Sequence, residues 1–193
     1  MIMQTVNLCD NLTIAATDTG IIEMTSNYSW LPCDDRNLVY KAAALMKETY
    51  DIKEGLSIHL NKNIPVAAGM AGGSSDCAAT LVGIRNMLKI KASDEELMSL
   101  GKSLGADVPY CILRGTALAE GIGEKLTQLP PFPDSTILIA KPPINVSTAT
   151  VFRSFDLNNV DKHPDNEKMI ELIKNKDLQG ICNNMCNVLE SVT

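Results

Sequence analysis

The segment Pro65-Val66-Ala67-Ala68-Gly69-Met70-Ala71-Gly72-Gly73-Ser74-Ser75 constrains what this chain can fold into more than any other. A strand-like alternation, Leu56-Ser57-Ile58-His59-Leu60, leads into it. Apolar residues at Cys77, Leu81, Ile84 and Leu88 follow at helical spacing. Small residues let backbone N–H groups close around an anion, and a helix that begins there aims its N-terminal amides and dipole at the same point. Ser74 and Ser75 add hydroxyl donors. A plain flexible turn is the alternative, and the flanking strand and helix speak against it. The segment is read as a phosphate-binding loop of an ATP site. It contains neither Gly-x-x-x-x-Gly-Lys-Ser/Thr nor Gly-x-Gly-x-x-Gly with a following strand and acid, which removes the Walker and Rossmann readings.

Around this loop, runs 2–8 and 12–16 read as a β-hairpin or two adjacent strands, and Ile21-Ile22-Glu23-Met24 as another strand. Asp34 or Asp35 is expected to cap a helix over about 37–50, with Leu38, Ala42, Leu45 and Met46 on one face. Ser93-Asp94-Glu95-Glu96 has the form of a capping box for a helix ending at Gly105. Residues 108–120 and 137–141 read as strands, with Gly121 and Gly123 in a turn between, and 165–193 as mostly helical. Pro130-Pro131-Phe132-Pro133 is the strongest breaker, giving expected domains at 1–133 and 134–193.

Composition narrows the function classes. The 193 residues are 45% hydrophobic and 21% charged, values that suit a soluble domain with a real core. No apolar run approaches the roughly 20 residues needed to cross a bilayer, so no membrane partner is expected. A formal net charge of -6 argues against nucleic acid as a partner, since phosphate backbones are held by clustered Lys and Arg. The six cysteines have no metal-ligand rhythm and read as reduced thiols of a cytoplasmic protein. Met1 leads straight into Ile2-Met3-Gln4-Thr5-Val6 without a basic n-region, so no signal peptide is expected.

The pattern Pro65-x-x-x-Gly69-Met70-Ala71-Gly72-Gly73-Ser74-Ser75 resembles the second motif of the GHMP kinase superfamily, which holds galactokinase, homoserine kinase and mevalonate kinase. Further segments resemble one family within it, the 4-diphosphocytidyl-2-C-methyl-D-erythritol kinases of non-mevalonate isoprenoid synthesis. They are Gln4-Thr5-Val6-Asn7-Leu8-Cys9-Asp10, Arg36-Asn37-Leu38-Val39, 58–81, Leu104-Gly105-Ala106-Asp107-Val108-Pro109, Ala119-Glu120-Gly121-Ile122-Gly123-Glu124 and Lys141–Thr148. The likeness covers roughly 3–155 in the same order.

The resemblance implies an α+β, two-domain GHMP-kinase-like fold. Its N-terminal domain is of ribosomal-protein-like type and lacks its first strands, and a partial ferredoxin-like domain follows. It implies ATP and Mg²⁺ as cofactors and a small cytidyl diphosphate substrate for a monomer or homodimer. Residues 65–75 would hold the phosphates, with Asn37 and Lys62 near the adenosine. Thr148 and Phe152 would lie against the cytidine, where an aromatic ring stacks well. Asp107, taken alone, reads as a surface or helix-terminal aspartate between a helix and a strand; the resemblance makes it the base for the substrate hydroxyl.

The family's opening Lys-x-Asn-Leu strand, its Tyr-His segment and its closing glycine-rich motif have no counterpart in 1–193. Lys41, Lys47 and Lys53 stand in other contexts. The sequence is therefore expected to be truncated at both ends and, alone, poorly stable and nearly inactive. A sister kinase acting on homoserine or mevalonate, and a non-catalytic nucleotide-binding module, are the rival readings.

Overall fold

The computed structural model describes residues 1–142, 151, 153–155 and 163–192, with residues 191 and 192 in backbone only. Among the described residues, the strands form two three-stranded sheets. In the first, β1 (Ile2–Gln4) lies antiparallel to β5 (Thr116–Glu120), whose other edge takes β6 (Lys125–Gln128). In the second, β4 (Gly55–Asn61) is central, antiparallel to β2 (Asn11–Thr17) and parallel to β3 (Ile22–Ser26). The alternation in β4 turns Leu56, Ile58 and Leu60 inward, each at most 1% exposed.

Helices α1 (Leu38–Thr49) and α2 (Gly72–Met87) pack together on this sheet. Val39, Ala42, Ala43 and Met46 from α1 meet Cys77, Ala78, Leu81 and Ile84 from α2 in one apolar cluster. Helix α3 (Asp94–Lys102) and the short α4 (Val108–Leu113) close the cluster with Leu97, Val108 and Ile112. Each such large side chain, fully buried, contributes about 1.5–3 kcal/mol. Beyond Pro133 the described residues form α5 (Asn166–Lys174), α6 (Leu178–Asn184) and a 3-10 turn at Val188–Val192.

Several expectations hold and several are corrected. Strand β4, helix α2 and the Ser93–Glu96 capping box form as expected, the last with both reciprocal bonds. Strands β1 and β2 are not a hairpin, because each finds its partner across the chain in a different sheet. Asn37, not Asp34 or Asp35, caps α1: its Oδ1 accepts the Val39 N–H at 2.9 Å. Asp34 instead grips Arg36, whose guanidinium holds its carboxyl down to about 2. Residues 108–113 are helix rather than strand. Pro109 sits in the first turn, where its missing N–H costs nothing, and Val108, Tyr110 and Ile112 are buried. Left-handed Arg114 and Gly115 then turn the chain into β5. No strand forms at 137–141; without a ladder partner Leu138 stands 93% exposed.

Candidate active site

The loop between β4 and α2 is built from repeated left-handed residues. Ala67, Gly69 and Ala71 have φ of +54°, +67° and +52°. Positive φ at every second residue curls the backbone and turns successive amides to a common side, as in an anion nest. Ala67 and Ala71 hold this conformation although each carries a Cβ, a strain of the kind found at ligand clamps. Ala71 is the N-cap of α2 and supplies no side-chain acceptor, and the first turn holds no acid. The first amides of the helix are thus left to an outside acceptor.

The loop opens on a cleft of about 950 Å³. Residues 65–73, Asn37, Lys62 and Asp107 all line it, so most of the residues singled out in the sequence come together. Ser74 and Ser75 do not line it, and the Ser75 hydroxyl donates back to the Gly72 carbonyl at 2.8 Å. Thr148 and Phe152 lie outside the described residues. Ile139–Pro142, Val151, Asn187 and Leu189, from far along the chain, also line the cleft.

Asp107 stands at the N-cap of α4 and not before a strand. Its carboxylate makes no capping bond, although capping is the usual employment of an aspartate there. The turn between β5 and β6 lies close by. A Cβ on Gly123, whose φ is +115°, would stand 3.9 Å from Asp107 Oδ1. Asn37 is more committed: besides capping α1, its Nδ2 donates to the Pro32 carbonyl at 2.7 Å.

Lys62 is buried, with its side chain 4% exposed. Its ammonium pairs with Asp10 and, at 2.8 Å, with Asp76 Oδ2. Burial pushes the Asp76 carboxyl up to about 7, against the pull of Lys62. Burial also raises Asp10, but the bonds from Lys62, Ile64 and Asn63 outweigh it and leave its carboxyl below the usual range. Gly72 packs against this group; a Cβ there would meet Ile64 Cγ2 at 3.0 Å and Lys62 Nζ at 3.1 Å. The thiols of Cys77 and Cys111 are pushed up to about 12, mainly by burial, and are no nucleophiles at neutral pH.

Residues 37–115 match the family described as GHMP kinases N terminal domain. The 4-diphosphocytidyl-2-C-methyl-D-erythritol kinase of Clostridium beijerinckii is 52% identical over the whole chain, which spans 69% of that protein. The chain belongs to the 4-diphosphocytidyl-2-C-methyl-D-erythritol kinase family. The kinase of Lachnospira eligens carrying the same name is also 52% identical, with 67% of its length spanned. A crystal structure of 4-(cytidine 5'-diphospho)-2C-methyl-D-erythritol kinase superposes with a TM-score of 0.72 at 30% identity, over 95% of this chain and 63% of that one. As a member of this kinase family the chain has the GHMP α+β fold that the loop and the ordered segments implied. Sequence reasoning missed Asp10, Arg36, Asp76 and Lys141 as parts of the site or its support. All four lie within the resembling segments; what the sequence does not show is that Asp10 and Asp76 converge on Lys62, because that needs the pairing of β2 with β4.

Proposed function

We propose that the chain transfers the γ-phosphoryl group of ATP to the 2-hydroxyl of 4-diphosphocytidyl-2-C-methyl-D-erythritol. Residues 1–133 supply the nucleotide site and 134–193 part of the acceptor site. The observation that carries this reading is one cleft lined by both the amide-rich loop 65–73 and the uncapped-helix aspartate, Asp107. Phosphoryl transfer asks chiefly for positioning and charge stabilisation. The loop amides and the start of α2 hold the β- and γ-phosphates. Asp107 accepts the hydroxyl proton as the new O–P bond forms and ADP leaves.

Asn37 and the backbone around Lys62 border the adenosine, and Thr148 and Phe152 the cytidine. Mg²⁺ would come in on the nucleotide and keep several of its waters, so it would need little from the cleft, where Asp76 is already engaged by Lys62. Bound there, Mg²⁺ would neutralise phosphate charge. The same proposal places the enzyme in the cytoplasm, where ATP is available, as a monomer or homodimer.

A chimera tests this, with the chain replacing the matching segment of the Clostridium beijerinckii kinase. The chimera should phosphorylate the cytidyl substrate. Asp107→Asn in it should lower kcat by about 10²–10⁴ with ATP affinity nearly unchanged. Turnover retained in that variant rejects the role of Asp107; a folded chimera with no turnover rejects the substrate.

A further inference from the structure

The ion group beneath the loop connects three elements that the chain brings together from far apart. Register Asn11↔Asn61 between β2 and β4 sets Asp10 beside Lys62, 52 residues later. Lys62 leads into the loop, and Asp76 lies in α2 where the loop ends. One oxygen of Asp10 accepts the amides of Asn63 at 2.5 Å and Ile64 at 2.8 Å, and the other takes the Lys62 ammonium. Asp10 and Lys62 are each 4% exposed at the side chain and Asp76 6%.

Such a group is costly as a staple. Each buried ion loses several kcal/mol of hydration, and apolar residues of the same volume often hold a fold as well or better. What charges add is a fixed place: Lys62 Nζ can satisfy both carboxylates only from one position. That position abuts Gly72, the first residue of α2. Asp10 itself does not line the cleft.

We propose that Asp10 is a positioning residue for the phosphate loop, fixing its start through the Asn63 and Ile64 amides and its end through Lys62 and Asp76. This rests on loop 65–75 being the nucleotide site, so the test reads loop order and ATP affinity separately. Asp10→Asn keeps an acceptor for the two amides and removes the charge that holds Lys62.

In the full chain, amide exchange at Ser75, whose N–H is bonded to the Ala71 carbonyl and untouched by Asp10, should accelerate at least about tenfold. Exchange at Leu97, bonded to the Ser93 carbonyl in α3, should stay as in the wild type. MgATP affinity, by titration, should fall about ten- to a hundredfold, as for a loop displaced by a fraction of its bond lengths. Equal acceleration at Ser75 and Leu97 means a general loss of stability and overturns the proposal, as does unchanged exchange at Ser75. Wild-type ATP affinity in a folded variant overturns it too. If neither protein binds ATP, the nucleotide reading fails, and the Ser75-to-Leu97 comparison still decides the role of Asp10. Should Asp10→Asn not fold, Asp10→Glu keeps the charge but shifts Lys62 by a methylene; selective acceleration at Ser75 is expected there, and its absence overturns the proposal.

Discussion

At the scale of single residues, the site is governed by how few of its polar groups are left over. Asn37 spends both ends of its amide on α1 and the Pro32 carbonyl, and Lys62 spends its charge on two carboxylates. Asp107 makes no capping bond and lines the cleft. Asp76 is the residue whose chemistry reports on folding. Its carboxyl titrates near 7 in the native state against 3.8 as its ordinary value. Between those limits the native protein holds a proton that the unfolded chain has released, so stability falls as pH rises from about 4 to about 7 and levels off above. Asp10, depressed by its donors, acts the other way and only at lower pH, where acid removes its contribution. Asp76→Asn should therefore flatten the decline between pH 5 and pH 8, on the order of 1–3 kcal/mol. Urea unfolding at the two pH values measures it, and an unchanged difference between them rejects the assignment.

At the scale of elements, the parts legible in the sequence were those with local causes. The Ser93–Glu96 box and the helical spacing of Cys77, Leu81 and Ile84 fix α3 and α2 without help from distant residues. Ser93→Ala should cost about 1 kcal/mol in a denaturant melt and leave nucleotide affinity alone, because α3 does not reach the cleft. What could not be read was pairing across the chain. Nothing in 2–8 says that β1 will join β5, more than a hundred residues on. The run 108–113 misled because its β-branched and aromatic residues suit a strand, while burial against α2 and α3 decides for helix. Gly72 shows the same division. Its smallness leaves room for phosphates where it lines the cleft, and the structure also sets it against Ile64 and Lys62. Gly72→Val should cost about 1–3 kcal/mol by overpacking as well as weaken ATP binding. A variant of unchanged stability that fails to bind ATP would assign that glycine to the phosphates alone.

At the scale of the whole molecule, the cleft is lined both by the loop and by residues far along the chain. Asn187 and Leu189 follow α6, and Ile139–Pro142 follow the proline-rich breaker. These contributions come from both sides of residue 133, the boundary expected from the sequence. A ligand that fills the cleft therefore touches both parts, and its binding energy acts on both. With ligand at a hundred times its dissociation constant, the native state gains about 2.7 kcal/mol. Exchange should slow in proportion wherever opening requires the ligand to leave. MgATP, whose site residues 1–133 supply, is accordingly expected to protect amides of α2, among them Ser75, and to leave Ile181 in α6 unchanged. Adding the cytidyl substrate to the ATP-bound chain should extend protection to Ile181, because the acceptor would reach from Asp107 to Leu189 along the same cleft. Slower exchange at Ile181 with MgATP alone would reject this division of the cleft.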